Sequence, residues 1–381
     1  MTTPESVRPT IRIPARGAVS CFGVGESVLW QAVRDGESGI RPRERLHAVD
    51  CLTDVVAEVP RVISAEVQSD EALPLHLAVL AAGEALKRWG RTPDDGLELI
   101  LASTKADMTG ITTSSGEGRG SPFRLARQLA DALQIPGPVT AVSCACASGL
   151  SALGLAGRRL RARRAERILV VGTDSINPFV LRGFSSLLAL STTACRPFDR
   201  GRDGLSVGDG AGAILLSTHP EDASDLELLG WGESNDANHI TGPSRDGDGL
   251  ASAIERALSN ADIPPAAVDF VHLHGTGTQY NDAMESKAMA RVFDTSPPAS
   301  GSKAQIGHTL GAAGILESMI TLAALECGTV PPNVGFSSPD PDCFLDLRSE
   351  IRPLERARTA LKLAAGFGGI NAALVFGRNR T

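Results

Sequence analysis

Residues 139–160 read VTAVSCACASGLSALGLAGRRL, and this stretch decides the fold class. Its first part, 139–143, is typical of a short strand, and the small residues over 147–165 predict a helix that begins at once. A strand that turns directly into a helix is the building unit of an α/β fold. Further short apolar strands are predicted at 99–102, 168–172 and 213–217. The sequence therefore predicts an α/β protein with buried sheets.

The composition favours a large folded enzyme. A chain of 381 residues corresponds to two domains or one large α/β unit, and a hydrophobic fraction of 42% excludes a disordered protein. The 37 Lys and Arg against 44 Asp and Glu give a net charge of -7, which argues against a general nucleic-acid binder. Aromatic residues make up only 4%, while there are 40 glycines, as expected of a tightly turning scaffold.

The sequence predicts neither a secretory leader nor a membrane span. The first 17 residues carry charges and prolines but no apolar stretch, and no apolar run approaches the ~18 residues that a bilayer requires. The seven cysteines are odd in number and scattered, which favours a reducing cytoplasm over a disulfide framework. We therefore expect a cytoplasmic protein.

Two pairs of similar segments indicate an internal duplication. Residues 207–216 (VGDGAGAILL) and 365–376 (AGFGGINAALVF) are Gly-rich turns followed by a strand, and 101–108 (LASTKADM) and 271–278 (VHLHGTGT) are strands followed by a polar turn. One copy in each half explains this spacing. A polar stretch at 219–225 is the candidate linker, so we predict an N-terminal half over 1–218 and a C-terminal half over 226–381.

Cys146 is the candidate nucleophile. It stands between a predicted strand and a predicted helix, where free N–H groups and the helix dipole favour a thiolate and lower the pKa of the thiol. The alternative is that Cys146 is a small buried apolar residue that packs beside Gly149. The motif alone favours the nucleophile and this structural role about equally. Cys144, two residues earlier, has no helix start of its own, so we expect it to be structural.

Two histidines and a lysine are the other candidates for chemistry. His274 ends an apolar strand and precedes a Gly-Thr-Gly-Thr turn, which favours acid/base or hydrogen-bond chemistry. A metal site with His272 and Asp282 ranks lower, because no third ligand stands at a regular spacing. Lys303 and His308 lie at the start of a small-residue helix, where burial requires partners, with Asp282, Glu285 and Glu317 as the candidates.

Together these segments resemble the elongating β-ketoacyl-ACP synthases over nearly the whole chain. The residues that carry the resemblance are ACASG around Cys146, RPFDRGRDGLSVGDGAGAILL from Arg196, SNDANHITGP from Ser234, HGTGTQYND from His274, KAQIGHTLGAAG from Lys303 and GFGGIN from Gly366. The resemblance implies the thiolase fold, in which two similar βα halves stack as αβαβα layers, and it implies a dimer.

The resemblance also implies the reaction, a decarboxylative Claisen condensation in fatty-acid or polyketide-like synthesis. Cys146 would be acylated from an acyl carrier protein, and His274 and His308 would hold the oxygen of a malonyl thioester while it loses CO2. The substrates would arrive on the phosphopantetheine of the carrier protein, so neither a resident cofactor nor a metal is expected.

The remaining roles follow from the same resemblance. Lys303 would orient the site with Asp282 or Glu285 as its partner, and Glu317 would be a structural acid. Thr276 and Thr278 would contact pantetheine, and Thr241 lies in the substrate-side loop. Phe367 would gate the site. The N–H groups of Cys146 and Phe367 would form the oxyanion hole.

Some residues depart from the family pattern and leave the acyl substrate open. The region between Ala106 and Pro122 is short, Ala364 and Ala365 replace bulkier residues before the gate, and Ile370 stands where Thr is common. The alternative functions are a non-catalytic partner subunit of the chain-length-factor type, a thiolase that uses coenzyme A, and a carrier-protein-binding module. Homodimer and heterodimer with another ketosynthase-like chain both remain open.

Overall fold

The computed structural model describes residues 8–67, 72–106, 120–354 and 356–379. The strands of the first half are β1 (Arg12–Ser20), β2 (Gly23–Val24), β3 (Arg41–Pro42), β4 (Val55–Val56), β5 (Leu97–Ala102), β6 (Val139–Val142), β7 (Arg167–Asp174) and β8 (Gly210–Ser217). Its helices are α1 (Glu26–Arg34), α2 (Arg61–Ser64), α3 (Leu73–Trp89), α4 (Pro122–Leu133), α5 (Ser148–Arg161) and α6 (Pro178–Ser186).

The second half repeats the alternation of strands and helices. Its strands are β9 (Leu226–Asn235), β10 (Phe270–His272), β11 (Pro298–Ser300), β12 (Thr329–Val330), β13 (Asp346–Leu347), β14 (Arg352–Pro353), β15 (Thr359–Gly366) and β16 (Ile370–Arg378). Its helices are α7 (Asp248–Ala261), α8 (Gln279–Val292), α9 (Lys303–Ile306) and α10 (Ala313–Cys327). Short 3-10 turns occupy Pro265–Ala267 and Leu310–Ala312.

Each half contains a five-stranded half-sheet with the same topology. The first reads β6-β5-β7-β8-β1 and the second β11-β10-β15-β16-β9, so both have the order 3-2-4-5-1 when their strands are numbered along the chain. The first two pairings of each sheet are parallel and the last two antiparallel. A pairing between Arg12 and Glu227 joins the halves edge to edge. The expected duplication is confirmed by this repeat, whereas the boundary at 218–226 stays a prediction.

Two helices, α5 and α10, lie between the half-sheets. Their buried side chains pack against inward-facing residues of both sheets in one cluster. Helices α3 and α4 cover the outer face of the first sheet, and α7 and α8 cover that of the second. This is the predicted αβαβα arrangement. Strands covered on both faces explain why the sequence shows continuous apolar runs instead of alternation.

Small residues let the two central helices touch. A Cβ at Gly314 would lie 2.7 Å from the backbone N of Leu150, and one at Gly149 would lie 2.9 Å from the N of Ile315. No side chain fits at these distances, so the glycines bring the start of α5 against the start of α10. The approach places the Cys146 turn next to the segment that carries Lys303 and His308.

One helical segment is longer and more apolar than the sequence analysis allowed. Residues Leu310–Cys327 form 18 residues of mean hydropathy 1.5, which meets the length and composition of a membrane span. The expectation that no apolar run comes near this length is therefore wrong. Since 89% of the segment is buried inside the protein, it has the character of a core helix. Most of the shortened 106–122 region lies outside the described residues.

Candidate active site

The Cys146 turn is tight and partly strained. Ala145 has φ of 47°, in the left-handed region that non-glycine residues rarely adopt, and such a position costs about 1–3 kcal/mol. The Ser148 side chain spans the turn, accepting from the Cys144 N–H at 2.8 Å and donating to the Ala145 carbonyl at 2.5 Å. The turn between β6 and α5 therefore holds Cys146 at a fixed position at the end of the sheet.

Burial dominates the acidity of this cysteine. Cys146 is 7% exposed, and its desolvation raises the pKa of the thiol to about 11. The charge of Lys303 and a hydrogen bond from the Phe367 N–H to the sulfur only partly oppose that rise. The expectation that the helix start lowers this pKa is wrong, because desolvation outweighs it. At neutral pH, burial therefore favours the neutral thiol of Cys146.

The hairpin between β15 and β16 closes over the same turn. A Cβ at Gly366 would lie 3.2 Å from the backbone N atoms of Cys146 and Ala147, so the hairpin backbone directly faces these N–H groups. The Phe367 N–H is close enough to the sulfur to lower the pKa of the thiol. Two backbone donors, those of Cys146 and Phe367, thus border the space beside the sulfur, which is an arrangement suited to an oxyanion hole.

The backbone fixes the tautomer of His308. The Leu310 N–H donates to its Nδ1 at 3.3 Å, so this nitrogen carries no proton. The backbone of His308 is also held, since its N–H donates to the Ser206 carbonyl at 2.6 Å. A neutral ring whose Nδ1 accepts must carry its proton on Nε2. His308 is therefore an Nε2–H donor.

Lys303 fixes the tautomer of His274 in a similar way, by donating to its Nδ1. The Lys303 Nζ lies 3.3 Å from the His274 Nδ1 and donates to the His274 carbonyl at 2.6 Å. Its third partner is Glu317 Oε1 at 2.5 Å, so all three protons of the ammonium have acceptors. Since an ammonium can only donate, His274 Nδ1 is the acceptor and Nε2 carries the proton.

Of the three candidate partners of Lys303, only Glu317 pairs with it, so the pairing with Asp282 or Glu285 that the resemblance implied is wrong. Glu285 instead accepts from the backbone N–H groups of His274 and Gly275 at 2.5 and 2.9 Å, and Asp282 accepts from those of Phe198, Thr276 and Gly277 at 2.8 to 3.2 Å. Both carboxylates hold the turn after β10, because the strand ends there and leaves N–H groups without ladder partners.

The two imidazoles are neutral and face each other. Burial first and the charge of Lys303 second hold the pKa of His274 and of His308 well below the ordinary value. Their ring centroids lie 5.4 Å apart with an interplanar angle of 85°. Two neutral N–H donors at this spacing can share one anionic oxygen without giving up a proton to it.

A cavity of about 750 Å³ joins these groups. Cys146, His274 and His308 line it together with the other predicted contact residues, Thr241, Thr276, Thr278 and Phe367. The hydroxyls of Thr276 and Thr278 lie 2.9 Å apart on the wall. Lys303, Asp282, Glu285 and Glu317 are buried behind the wall and reach the cavity only through the residues they hold.

The predicted gate residue is packed at the cavity. The Phe367 ring lies 5.8 Å from that of Phe184 on α6, centroid to centroid. The Gly368 N–H donates to the Ile240 carbonyl at 2.8 Å, which ties the Phe367 hairpin to the loop that carries Thr241. This hydrogen bond joins the two loops at the cavity mouth. That Phe367 acts as a gate stays a prediction.

Sequence reasoning missed Lys362. This lysine on β15 is fully buried, and its Nζ lies 2.8 Å from Glu317 Oε2. Burial lowers the pKa of Lys362 to about 8, against the opposing charge of Glu317. A lysine inside the apolar strand TALKLAAG was the signal that could have revealed it, since both faces of this strand are covered.

Two further observations delimit the site. Among the described residues there is no cluster of three or more His, Cys, Asp or Glu side chains able to hold a metal ion. A larger cavity of about 890 Å³ lies beside β3, β4 and α2, and its wall carries Arg41, Arg61 and Cys21 but none of the three reactive groups. The Cys146 thiol and the two imidazoles therefore meet only at the first of these two cavities.

Comparison with known proteins gives a consistent picture. Two family models match, the N-terminal domain of beta-ketoacyl synthases over residues 9–222 and the C-terminal domain over 226–337. The 3-oxoacyl-(acyl-carrier-protein) synthase 2 of Coxiella burnetii is 31% identical over 96% of this chain and 98% of its own.

Solved structures agree with these matches. The ishigamide ketosynthase/chain length factor superposes with a TM-score of 0.90 at 29% identity, over 98% of this chain and all of the other. A type II polyketide ketosynthase solved with its acyl-carrier protein and bound to the hexaketide gives a TM-score of 0.88 at 27% identity, over 97% of this chain and all of the other.

Proposed function

Because the chain belongs to the β-ketoacyl synthase family, we propose that its cavity carries out the decarboxylative condensation of an acyl group on Cys146 with a malonyl thioester. The observation that carries this proposal is the meeting of the Cys146 thiol with two neutral Nε2–H imidazoles in one cavity. The chain is an acyltransferase, and its product is a β-ketoacyl thioester for fatty-acid or polyketide-like synthesis.

In the first step the acyl group moves to the cysteine. The Cys146 sulfur attacks the carbonyl carbon of an acyl thioester, the N–H groups of Cys146 and Phe367 stabilise the tetrahedral oxyanion, and the carrier thiol leaves. The proton of the Cys146 thiol ends on the released carrier thiol. Because burial raises the pKa of Cys146 to about 11, loss of this proton is part of the barrier to acylation.

In the second step the malonyl thioester loses CO2. The electron pair of the broken carbon–carbon bond forms an enolate, whose oxygen accepts from the Nε2–H groups of His274 and His308. The enolate carbon attacks the acyl carbonyl, the bond to the Cys146 sulfur breaks, and the thiolate takes a proton from solvent. Two neutral donors suit this step because a cationic imidazole would protonate the enolate.

The threonines and the loops complete the substrate path. We propose that Thr276 and Thr278 hydrogen-bond the amides of a phosphopantetheine arm, that the Thr241 loop covers it, and that Phe367 moves to admit the malonyl group. Both substrates then arrive on acyl carrier protein, and the reaction uses no resident cofactor. The seven free cysteines support action in a reducing compartment, the cytoplasm.

We propose a dimer as the working unit. Strand β6 is the edge of its half-sheet, and its residues are only half-buried in the single chain, as expected of an edge that a second chain covers. A homodimer is the simpler form. Two solved relatives are ketosynthases paired with a chain length factor, which keeps a heterodimer as the competing form. Light scattering of the pure, active chain distinguishes the two.

The alternative of a non-catalytic partner subunit is less well supported. A subunit that only shapes a heterodimer has no use for a thiol aligned with two tautomer-fixed imidazoles. In such a subunit, the buried ion pair of Lys303 and Glu317 behind the cavity would serve no reaction.

Covalent loading tests the proposed function. The purified chain is incubated with an acyl-carrier-protein thioester and digested, and the acylated peptide is mapped by mass spectrometry. We expect one acyl group, on Cys146, and none in Cys146→Ala. Cys144→Ala is the matched control and should load normally. A label on Cys144 with Cys146 unmodified, or no label at all, would contradict the proposal.

A further inference from the structure

A second buried lysine, Lys362, lies behind the catalytic imidazoles, and the Glu317 carboxylate separates it from Lys303. The Lys362 Nζ donates to the carbonyls of Leu273 and Leu363 at 3.0 and 2.6 Å, and its third partner is Glu317 Oε2 at 2.8 Å. Two hydrogen bonds to backbone carbonyls and an ion pair with a carboxylate are the surroundings of a protonated lysine.

Glu317 bridges the two lysines. Its Oε1 contacts Lys303 at 2.5 Å and its Oε2 contacts Lys362, and both lysines are fully buried. Lys303 alone already neutralises this carboxylate. With Lys362 charged, the cluster of Lys303, Glu317 and Lys362 carries one surplus positive charge, and Lys303 links the cluster to the ring of His274.

Fold stability does not explain the lysine. Its strand neighbours Leu361 and Leu363 are buried apolar residues, and an apolar side chain would be the ordinary occupant of this position. Burying a charge beyond what its partners neutralise is costly. A surplus cation maintained behind an active site is more readily understood through the negative charge that the reaction creates there.

We propose that Lys362 is a positioning residue for the decarboxylation step: it neutralises Glu317 from the far side, so that the full charge of Lys303 holds His274 as an Nε2–H donor and faces the developing enolate. This proposal rests on the condensation proposed above and concerns only its second half-reaction. Acylation of Cys146 depends on the backbone donors of the oxyanion hole and should respond much less.

The charge of the cluster depends on pH. The charged and titratable groups that act on Lys362 or are acted on by it are Glu317, Lys303, Glu285, His272, His274 and His308. Burial lowers the pKa of Lys362 to about 8, so its surplus charge is present below that pH and is lost above it. Burial raises the pKa of Glu285 to about 7, so this carboxyl gains its negative charge at a lower pH than that at which Lys362 loses its positive one. The three histidines stay neutral, because burial holds the pKa of each well below its ordinary value.

The test measures CO2 release from malonyl-acyl carrier protein between pH 6 and about pH 9.5. All variants are made in a Cys146→Ala background, which removes the titration of the thiol. We expect Lys362→Met to lower the rate about tenfold at pH 7 and to abolish the decline near pH 8. Lys362→Arg keeps a charge that does not titrate, so it should retain more activity than Lys362→Met and show no decline near pH 8.

Arg167→Met is the matched control. Arg167 is also a buried cation paired with a carboxylate, Asp222 at 2.7 Å, but it does not line the cavity. The Arg167→Met variant should leave the rate of CO2 release and its pH profile unchanged. Acylation of Lys362→Met with Cys146 intact should stay within about threefold of the parent.

The outcomes separate the two proposals. If Lys362→Met releases CO2 at the parental rate with the parental pH profile, the role of Lys362 is overturned while the proposed function stands. If Lys362→Met does not fold, Lys362→Arg decides: a decline that persists near pH 8 overturns the role. If the parent neither acylates nor releases CO2, the proposed function itself fails.

Discussion

Replacing His308 by alanine should separate the two half-reactions. His308 is 1% exposed, its Nδ1 is occupied by the Leu310 N–H, and its Nε2–H borders the cavity that contains Cys146. The variant keeps both backbone donors that serve acylation, but it removes one of the two imidazole donors that serve the enolate.

The magnitude follows from the number of donors. Loss of one oxyanion donor in a site that excludes water typically costs about 2.7–4 kcal/mol, or 10²–10³ in rate. We therefore expect decarboxylation to fall by about 10²–10³ and acylation to change by less than about fivefold. His308→Asn keeps a neutral N–H donor on a shorter side chain and should recover about a tenth of the lost rate.

The assay follows each half-reaction separately. Acylation is followed by the mass of the intact chain during reaction with an acyl-carrier-protein thioester, and decarboxylation by CO2 release from malonyl-carrier protein. His76→Ala is the control, because His76 pairs with Glu66 away from the cavity. Normal rates for both half-reactions in His308→Ala, or equal losses in both, would refute the assigned role.

Three further predictions concern the thiol and the Phe367 hairpin. Alkylation of Cys146 by iodoacetamide should rise about tenfold per pH unit above pH 7 and level off only near the thiol pKa of about 11, so a plateau below pH 8 would contradict the dominance of burial. Gly366→Ala places a Cβ 3.2 Å from the N of Cys146 and should slow acylation by at least about tenfold, whereas Gly83→Ala, where nothing lies within 4 Å, should leave the acylation rate unchanged. Ala365→Phe adds bulk to the cavity wall and should narrow the range of acyl chains while sparing short ones; in competition between short- and long-chain thioesters, an unchanged ratio would place selectivity elsewhere.

The repeats in the sequence predicted the duplication, and the resemblance to the β-ketoacyl-ACP synthases predicted the αβαβα layers. The pair 207–216 and 365–376 falls on β8 and β16, each the fifth strand of its half-sheet, and the pair 101–108 and 271–278 falls on β5 and β10, each the second. Apolar periodicity and turn residues are local properties, so they survive in the linear sequence. The same holds for Cys146, whose place between strand and helix was visible in ACASG.

The partners inside the site were beyond sequence reasoning. The residues offered Asp282, Glu285 and Glu317 as partners of Lys303, and the resemblance favoured the first two. The actual partner, Glu317, lies on α10, and its contact with Lys303 depends on how the two half-sheets enclose that helix. The thiol pKa was predicted with the wrong sign, since a helix start is visible in sequence and the depth of burial is not. Lys362 was overlooked because Leu273 and Glu317, which contact its Nζ, lie far from it in the sequence.

A single-turnover condensation tests the central claim most directly. The chain is first loaded with an acyl group on Cys146, freed of excess thioester, and mixed with malonyl-carrier protein labelled at the methylene carbon. The account predicts that the acyl group leaves Cys146, that one CO2 is released for each acyl group lost, and that the carrier bears a labelled β-ketoacyl chain extended by two carbons. An acyl group that stays on Cys146 while the malonyl thioester remains intact would contradict it.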